Sequence, residues 1–419
     1  MSLQIDAAGR RVRLDPRDPD FFNDPYRAYA AIRAAVPVFF WEQYGFWCCA
    51  GYSEVSALLR DRRFGRQILH VMSRESLGWP APPAHLAPFD AIERHSLLEL
   101  EPPEHTRLRA LVNRAFLSRQ VERLAPRVAD LANDLIDAFP AHGEAELIGG
   151  FATPIPVAVI AELIGVPREM APQLLDWSHR MVAMYQYAVT RAVEDAAAAA
   201  ASEFAAFLRE TVAARRGDPR DDLVSRLIAA EADGARLSQE ELITTCMLLL
   251  NAGHEATVHA LGNGVKTILE NRVDGARAFA DARASEATIE ELLRFDAPLH
   301  LFTRYALEDV EFAGVELRQG ERIGLLLGAA NRDPRAFAEP DRLEPARAPN
   351  PHVTFGAGIH FCVGAPLARL ELRVALPILF RRLPGLRLAE APRYRDAYHF
   401  HGLEALRVAW RGASLGEGR

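Results

Sequence analysis

The sequence predicts a mainly α chain with a smaller β part, an α+β fold, on three observations. Apolar residues recur at 3–4 spacing through most of the stretch from 104 to 271. Alternation and turn signals gather instead in 304–333 and in a short β tail. No internal repeat and no linker-like shift of composition divides the chain. Length alone, at 419 residues, would suggest two or three domains.

Taken in order, "FWCCAGY" (46–52) reads as a core strand, with Cys48 and Cys49 as small buried hydrophobes. A helix over 53–61, capped by Ser53, follows. From 67 to 103 the chain is rich in Pro, His and Trp with weak periodicity, the signature of a long irregular binding loop or lid. Helices are expected over 104–139, 167–185, 194–216 and 221–234, the last ending in an Asp-Gly turn. Ser238 and Glu241 form a capping box that opens a helix of about thirty residues over 238–271. That helix is apolar on most faces and should cross the core. Thr288 with Glu291 marks another helix start, and Asp296-Ala297-Pro298 its end. Short strands over 304–333 and a helix over 365–383 complete the reading.

The net charge of −7 argues against a nucleic-acid partner, which needs a basic face. The N-terminus, "MSLQIDAAGRRVRLDPRDPD", lacks an apolar h-region, and no apolar run is long enough to span a bilayer. No membrane anchor is expected. The four cysteines show no C-x-x-C spacing, which suits a reducing, cytoplasmic setting.

One cysteine stands apart. "FGAGIHFCVG" (355–364) holds Cys362 in a glycine-rich loop just before a helix that begins near Gly364. Unpaired N–H groups and the positive end of the helix dipole favour a thiolate there. Gly356, Gly358 and Gly364 are read as positions that need backbone angles closed to other residues. A buried structural cysteine, a nucleophile and a haem-iron ligand are the three readings of such a site.

The spacing F-x-x-G-x-H-x-C-x-G, carried by Phe355, Gly358, His360, Cys362 and Gly364, resembles the haem-binding signature of the cytochrome P-450 superfamily. The resemblance extends over roughly 15–410 and implies a single domain over 1–419, with 1–14 a flexible N-terminal segment and the long central helix lying over the haem. It implies haem b (iron protoporphyrin IX) ligated by the Cys362 thiolate. Phe355 and Gly356 would shape the loop around it. His105, Arg109, Arg304 and His360 match the family's haem-propionate partners. Glu291, Arg294 and Arg347 match its buried Glu-Arg-Arg network. "NAGHEATV" (251–258) resembles the family's A-G-x-[DE]-T segment, which places Ala252 and Gly253 at an oxygen groove and Glu255 on the proton route. The family's alcohol follows the acid directly. Here Ala256 takes that place and Thr257 comes one residue, or about 100° of helix rotation, later.

The implied activity is insertion of one oxygen atom of O2 into an apolar small organic substrate, a hydroxylation. Electrons would come ultimately from NAD(P)H through a ferredoxin reductase and a ferredoxin-type partner, and the chain is expected to be a monomer. Leu97, Leu98, Met181, Leu248, Ala252, Ala256, Leu299, Phe302 and Phe400 are the expected substrate pocket, and Arg107, Arg114, Arg369 and Arg373 candidate docking cations. A peroxide-driven peroxygenase, a non-catalytic haem sensor or carrier, and a cysteine hydrolase are the rival readings.

Overall fold

The computed structural model describes residues 2–115, 121–141, 143–230 and 234–410. It is about half helical, with a smaller sheet part, as the sequence predicts.

The largest of four sheets among the described residues has seven strands: β1 (Gln4–Asp6), β2 (Arg11–Arg13), β3 (Val38–Trp41), β4 (Phe46–Cys49), β5 (Phe64–Gly65), β6 (Leu301–Ala306) and β7 (Arg322–Leu326). Their spatial order is β1-β2-β3-β4-β7-β6-β5. β4 and β7 pair in parallel with Cys48 opposite Gly324, and a Cβ at Gly324 would lie 2.7 Å from the Cys48 sulfur. Cys48 and Cys49 are fully buried, as read from the sequence.

The helices that build the site are α1 (Tyr52–Leu58), α2 (Ala87–Glu93), α3 (Glu104–Ala115), α4 (Ala125–Asp137), α5 (Pro154–Ile164), α6 (Ala171–Val182), α7 (Arg191–Gly217), α8 (Gln239–Glu270), α9 (Ala282–Phe295) and α10 (Ala365–Arg382). α8 is the long central helix, 32 residues and so about 48 Å. Its capping box forms as predicted: the Glu241 N–H donates to Ser238 Oγ at 3.3 Å, and the Ser238 N–H to Glu241 Oε2 at 2.8 Å. Most of α8 is buried within one core cluster shared with α3–α7, α9 and α10. Two smaller clusters fill the two faces of the sheet.

Several boundaries differ from the sequence reading. α1 starts at Tyr52 with Gly51 as its N-cap, so Ser53 lies inside the first turn and caps nothing. Thr288 is buried in mid-helix and donates its hydroxyl to the Ala278 carbonyl; the cap of α9 is Asp281, which accepts from the Ala284 N–H. A local S/T-x-x-E pattern cannot tell a cap from a tertiary contact that sequesters the hydroxyl. The 221–234 segment is helical over Leu223–Ala229, and Asp233 of its turn lies outside the described residues. α2 interrupts the segment read as irregular.

Candidate functional site

The cysteine loop is held by its own backbone. The Cys362 N–H donates to the Phe355 carbonyl at 3.0 Å and the Gly356 N–H to Val353 at 2.8 Å. Gly356 and Gly358 have φ of 68° and 70°, and a Cβ at Gly358 would stand 2.4 Å from the Leu59 carbonyl oxygen. Glycine is required at both. Gly364 differs from expectation: its φ is −82°, an ordinary angle, and its place is the N-cap of α10.

Cys362 is exposed. Desolvation pushes the thiol up, while the Gly364 and Ala365 N–H groups and the Arg109 and Arg369 guanidinium groups oppose it. Two of the four exposed large apolar side chains among the described residues, Ile359 and Phe361, flank His360 on this loop. Phe355 lies beneath the Arg369 guanidinium, 4.5 Å from the ring centroid.

The structure brings His105, His360 and Arg304 together around this loop. The His105 and His360 rings are 4.3 Å apart. Both ring nitrogens of His105 are buried without a hydrogen-bond partner. His360 Nε2 lies 3.4 Å from Glu101 Oε1, without hydrogen-bond alignment. Burial, with His360 next, pushes His105 down to about 4, and burial also lowers His360. Arg304 is buried, donates to the Thr303 carbonyl, and is pushed down to about 10 by burial and by Arg66. Arg109 is held at Nη2 by the Phe361 carbonyl, 2.7 Å away, which pins α3 to the residue before Cys362.

Arg66 and Glu101 were missed in the sequence. Both are buried, and the Arg66 N–H donates to Glu101. Arg66 follows β5, so a sheet contact with no local signal carries it to the site.

Below the loop, Glu291 and Arg294 are fully buried. Arg294 donates Nε and Nη2 to the two Glu291 oxygens at 2.7 and 2.8 Å, and Arg347 Nε reaches both at 3.1 Å. Arg347 Nη1 and Nη2 and Arg294 Nη1 bind the carbonyls of Ala338, Arg342, Asn331 and Pro340. The three side chains form one buried ion-pair network.

On α8, Ala252 is exposed and Leu248 and Ala256 are partly open, an i, i+4, i+8 strip on a mostly buried helix. Thr257 is buried, off that strip. Gly253 has a packing reason: a Cβ there would meet Ile160 of α5 at 3.0 Å. This close helix approach is a reason for glycine that needs no ligand.

A cavity beside the strip is lined by Phe89, Glu93, Leu98, Met181, Leu248 and Ala252 among others. Four expected pocket residues therefore converge. Leu97 instead packs in the core, Leu299 pairs with Phe400, and Phe302 lies under Arg66, 5.5 Å from the guanidinium. Phe400 lines a second cavity with His179, Glu255, His259 and Arg395. Glu93 was not anticipated. Burial and Glu99 push its carboxyl up to about 8.

Glu255 is buried beside three histidines, with His259 Nε2 3.3 Å from Oε1 and His179 Nε2 3.4 Å from Oε2. Burial opposes its ionisation, but the histidines outweigh it and hold the carboxylate well below the usual range. Of the docking candidates, Arg107, Arg369 and Arg373 are already paired with Glu241, Glu290 and Glu122. Arg114 is exposed.

A helix-rich fold around a long central helix, with a cysteine loop at the mouth of α10, defines a class. A family model for cytochrome P450 matches residues 265–384. The chain is 33% identical to the polyketide biosynthesis cytochrome P450 PksS of Bacillus subtilis, covering 95% of this chain and 99% of that one. It is 36% identical to the 6-deoxyerythronolide B hydroxylase of Saccharopolyspora erythraea, over 96% of each. The crystal structure of P450BioI with an acyl carrier protein ligated to hexadec-9Z-enoic acid superimposes with a TM-score of 0.86, at 33% identity, covering 94% of this chain and 100% of that one. The chain belongs to the cytochrome P450 family and is a monooxygenase.

The family implies a haem-thiolate cofactor. The residues present fit it: orphaned buried imidazoles and a buried guanidinium suit two carboxylates, and exposed apolar side chains beside an open cysteine suit a flat macrocycle.

Proposed function

We propose that the chain hydroxylates an apolar small molecule, and that Cys362 would hold haem b through its thiolate. One observation carries this reading: His105 buries two ring nitrogens that no protein group satisfies, 4.3 Å from the His360 ring on the loop of the exposed Cys362. A buried polar atom without a partner costs about 1–3 kcal/mol, so these atoms await an acceptor. His105, His360 and Arg304 would hold the propionates. Arg109 fixes the loop through the Phe361 carbonyl and adds positive charge near the sulfur. When bound, the haem supplies dioxygen activation and oxygen insertion.

The protein's part is to orient substrate, exclude water and move protons. Phe89, Met181 and Leu248 grip an apolar body, while Ala252 and Ala256 leave room at the helix surface. Glu93 and Asn251 face the same cavity and fix a polar end of the substrate. Glu255, held ionised by its histidine neighbours, accepts a proton in transit at its carboxylate and passes it on. Thr257, buried off the strip, is a weaker donor to the same point. Electrons arrive from NAD(P)H through a ferredoxin reductase and a ferredoxin-type protein. The chain acts as a single domain, and no helix among the described residues is long and apolar enough to cross a membrane.

Ala256 on the open strip, where the family's alcohol stands, favours one second reading, peroxide-driven turnover. Rates with peroxide alone and with a ferredoxin system separate the two.

The central test is the spectrum of the reduced, carbon monoxide-bound protein. The thiolate-type Soret band is expected in the wild type, and an imidazole-type or featureless spectrum in Cys362→His. A colourless wild type, or a variant with the thiolate band, would refute the assignment. His105→Ala and Arg304→Ala should each loosen haem retention while leaving the band position unchanged.

A further inference from the structure

The cluster around Glu255 has a geometry that proton relay does not require. One ligand atom from each of His179, His254 and Glu255 lies within 4.8 Å of the other two. Glu255 Oε2 is 3.4 Å from His179 Nε2 and 3.6 Å from His254 Nε2. A tetrahedral zinc ion with bonds of about 2.0–2.1 Å spaces its ligand atoms by about 3.3–3.4 Å. The two separations come within about 0.3 Å of that value.

His254 supplies an independent sign. Its residue is 4% exposed, and its Nδ1 lies 2.8 Å from the Leu250 carbonyl, one turn back on α8. That carbonyl can only accept, so Nδ1 carries the hydrogen. The lone pair of a neutral ring therefore sits on Nε2, which is buried without a hydrogen-bond partner and faces Glu255. A backbone carbonyl that sets the tautomer of a histidine is the usual support for a metal-binding imidazole.

We propose that His179, His254 and Glu255 form a binding site for a zinc-class divalent cation, bridging α6 and α8. Two neutral imidazoles and one carboxylate select such an ion over magnesium or calcium, which prefer all-oxygen shells. Two groups stand on the other carboxylate oxygen. His259 Nε2 is 3.3 Å from Oε1 and can follow the ion as a fourth ligand, and Arg395 Nη1 is 3.9 Å from Oε1 on a partly exposed side chain. The cavity of about 140 Å³ lined by His179, Glu255, His259 and Arg395 gives the ion and its water a way in.

The consequence for catalysis rests on the proton-relay reading above. A cation on Glu255 Oε2 takes the carboxylate out of the relay and ties α6 to α8.

Isothermal titration of the haem-loaded protein with Zn2+ tests the site without turnover. One ion per chain should bind, Mg2+ should give no matching signal, and the haem spectrum should keep its thiolate band. His179 is half exposed, so His179→Ala leaves the fold intact and should abolish the binding heat; His254→Gln should do the same. Unchanged zinc affinity in His179→Ala, or equal binding of Mg2+, would overturn the proposal. The other buried His/Asp group, Asp296 with His300 and His401, then becomes the place to look. Zinc binding that leaves turnover untouched would uphold the site and sink Glu255 as the relay.

Discussion

Single buried charges in this chain divide into satisfied and unsatisfied cases, and the two predict opposite outcomes. Glu291 accepts from Arg294, Arg347, the Glu344 N–H and Asn350. Glu291→Gln leaves two buried guanidinium groups without a counter-charge, and chemical denaturation should show a loss of about 3–5 kcal/mol. Glu371 of α10 is equally buried, yet neither carboxyl oxygen has a partner. Burial holds its carboxyl well above the usual range. The folded chain thus keeps a proton that the unfolded chain releases above about pH 4. Stability is lost as pH rises through that interval. Glu371→Leu should therefore stabilise the protein by about 1–3 kcal/mol at neutral pH, with a gain that shrinks below about pH 4. A variant that unfolds more easily would refute the reading.

At the scale of elements, the contact of α5 with α8 turns on one missing methyl. Helix propensity alone favours alanine over Gly253 by about 1 kcal/mol. The Ile160 side chain at 3.0 Å opposes this, since overpacking costs about 1–3 kcal/mol. Gly253→Ala should be destabilising, and Ile160→Ala should absorb the added methyl. A double-mutant cycle is expected to show positive coupling, and strict additivity would exclude the contact as the cause. This element also shows where sequence reading ran out. The capping box of α8 is a local pattern, so its start was legible. Ile160 lies most of a hundred residues away, so the reason for Gly253 was not. The loop motif marked Cys362 and His360, and the E-x-x-R spacing marked Glu291 and Arg294. Arg66, Glu93 and Glu101 stayed hidden because only tertiary packing makes them unusual.

For the molecule as a whole, one link joins the helical and loop parts. Glu290 of α9 accepts Arg369 Nε and Nη2, both at 2.7 Å, and lies 3.0 Å from His352 Nε2. Despite partial burial, these partners hold its carboxyl down to about 2. A depressed carboxylate adds stability that is present above its unfolded value of about 4 and vanishes as pH falls toward the folded value. Unfolding midpoints should therefore drop between about pH 4 and about pH 2, and Glu290→Gln should flatten that limb while lowering stability at neutral pH. An acid limb identical in the two proteins would show that the link carries no such load.

The sheet described above has one more consequence, for how the chain is made. β4 lies near the start and its parallel partner β7 near the end, with every helix from α1 to α9 between them. On the ribosome, Trp47, Cys48 and Cys49 can pair with β3 on one edge but must leave the other edge open until residues 323–325 have emerged. Such distant pairings slow folding and leave sticky strand edges open to other chains. Yield from a cell should then depend on chaperone supply and growth temperature more than the equilibrium stability of the finished protein would suggest.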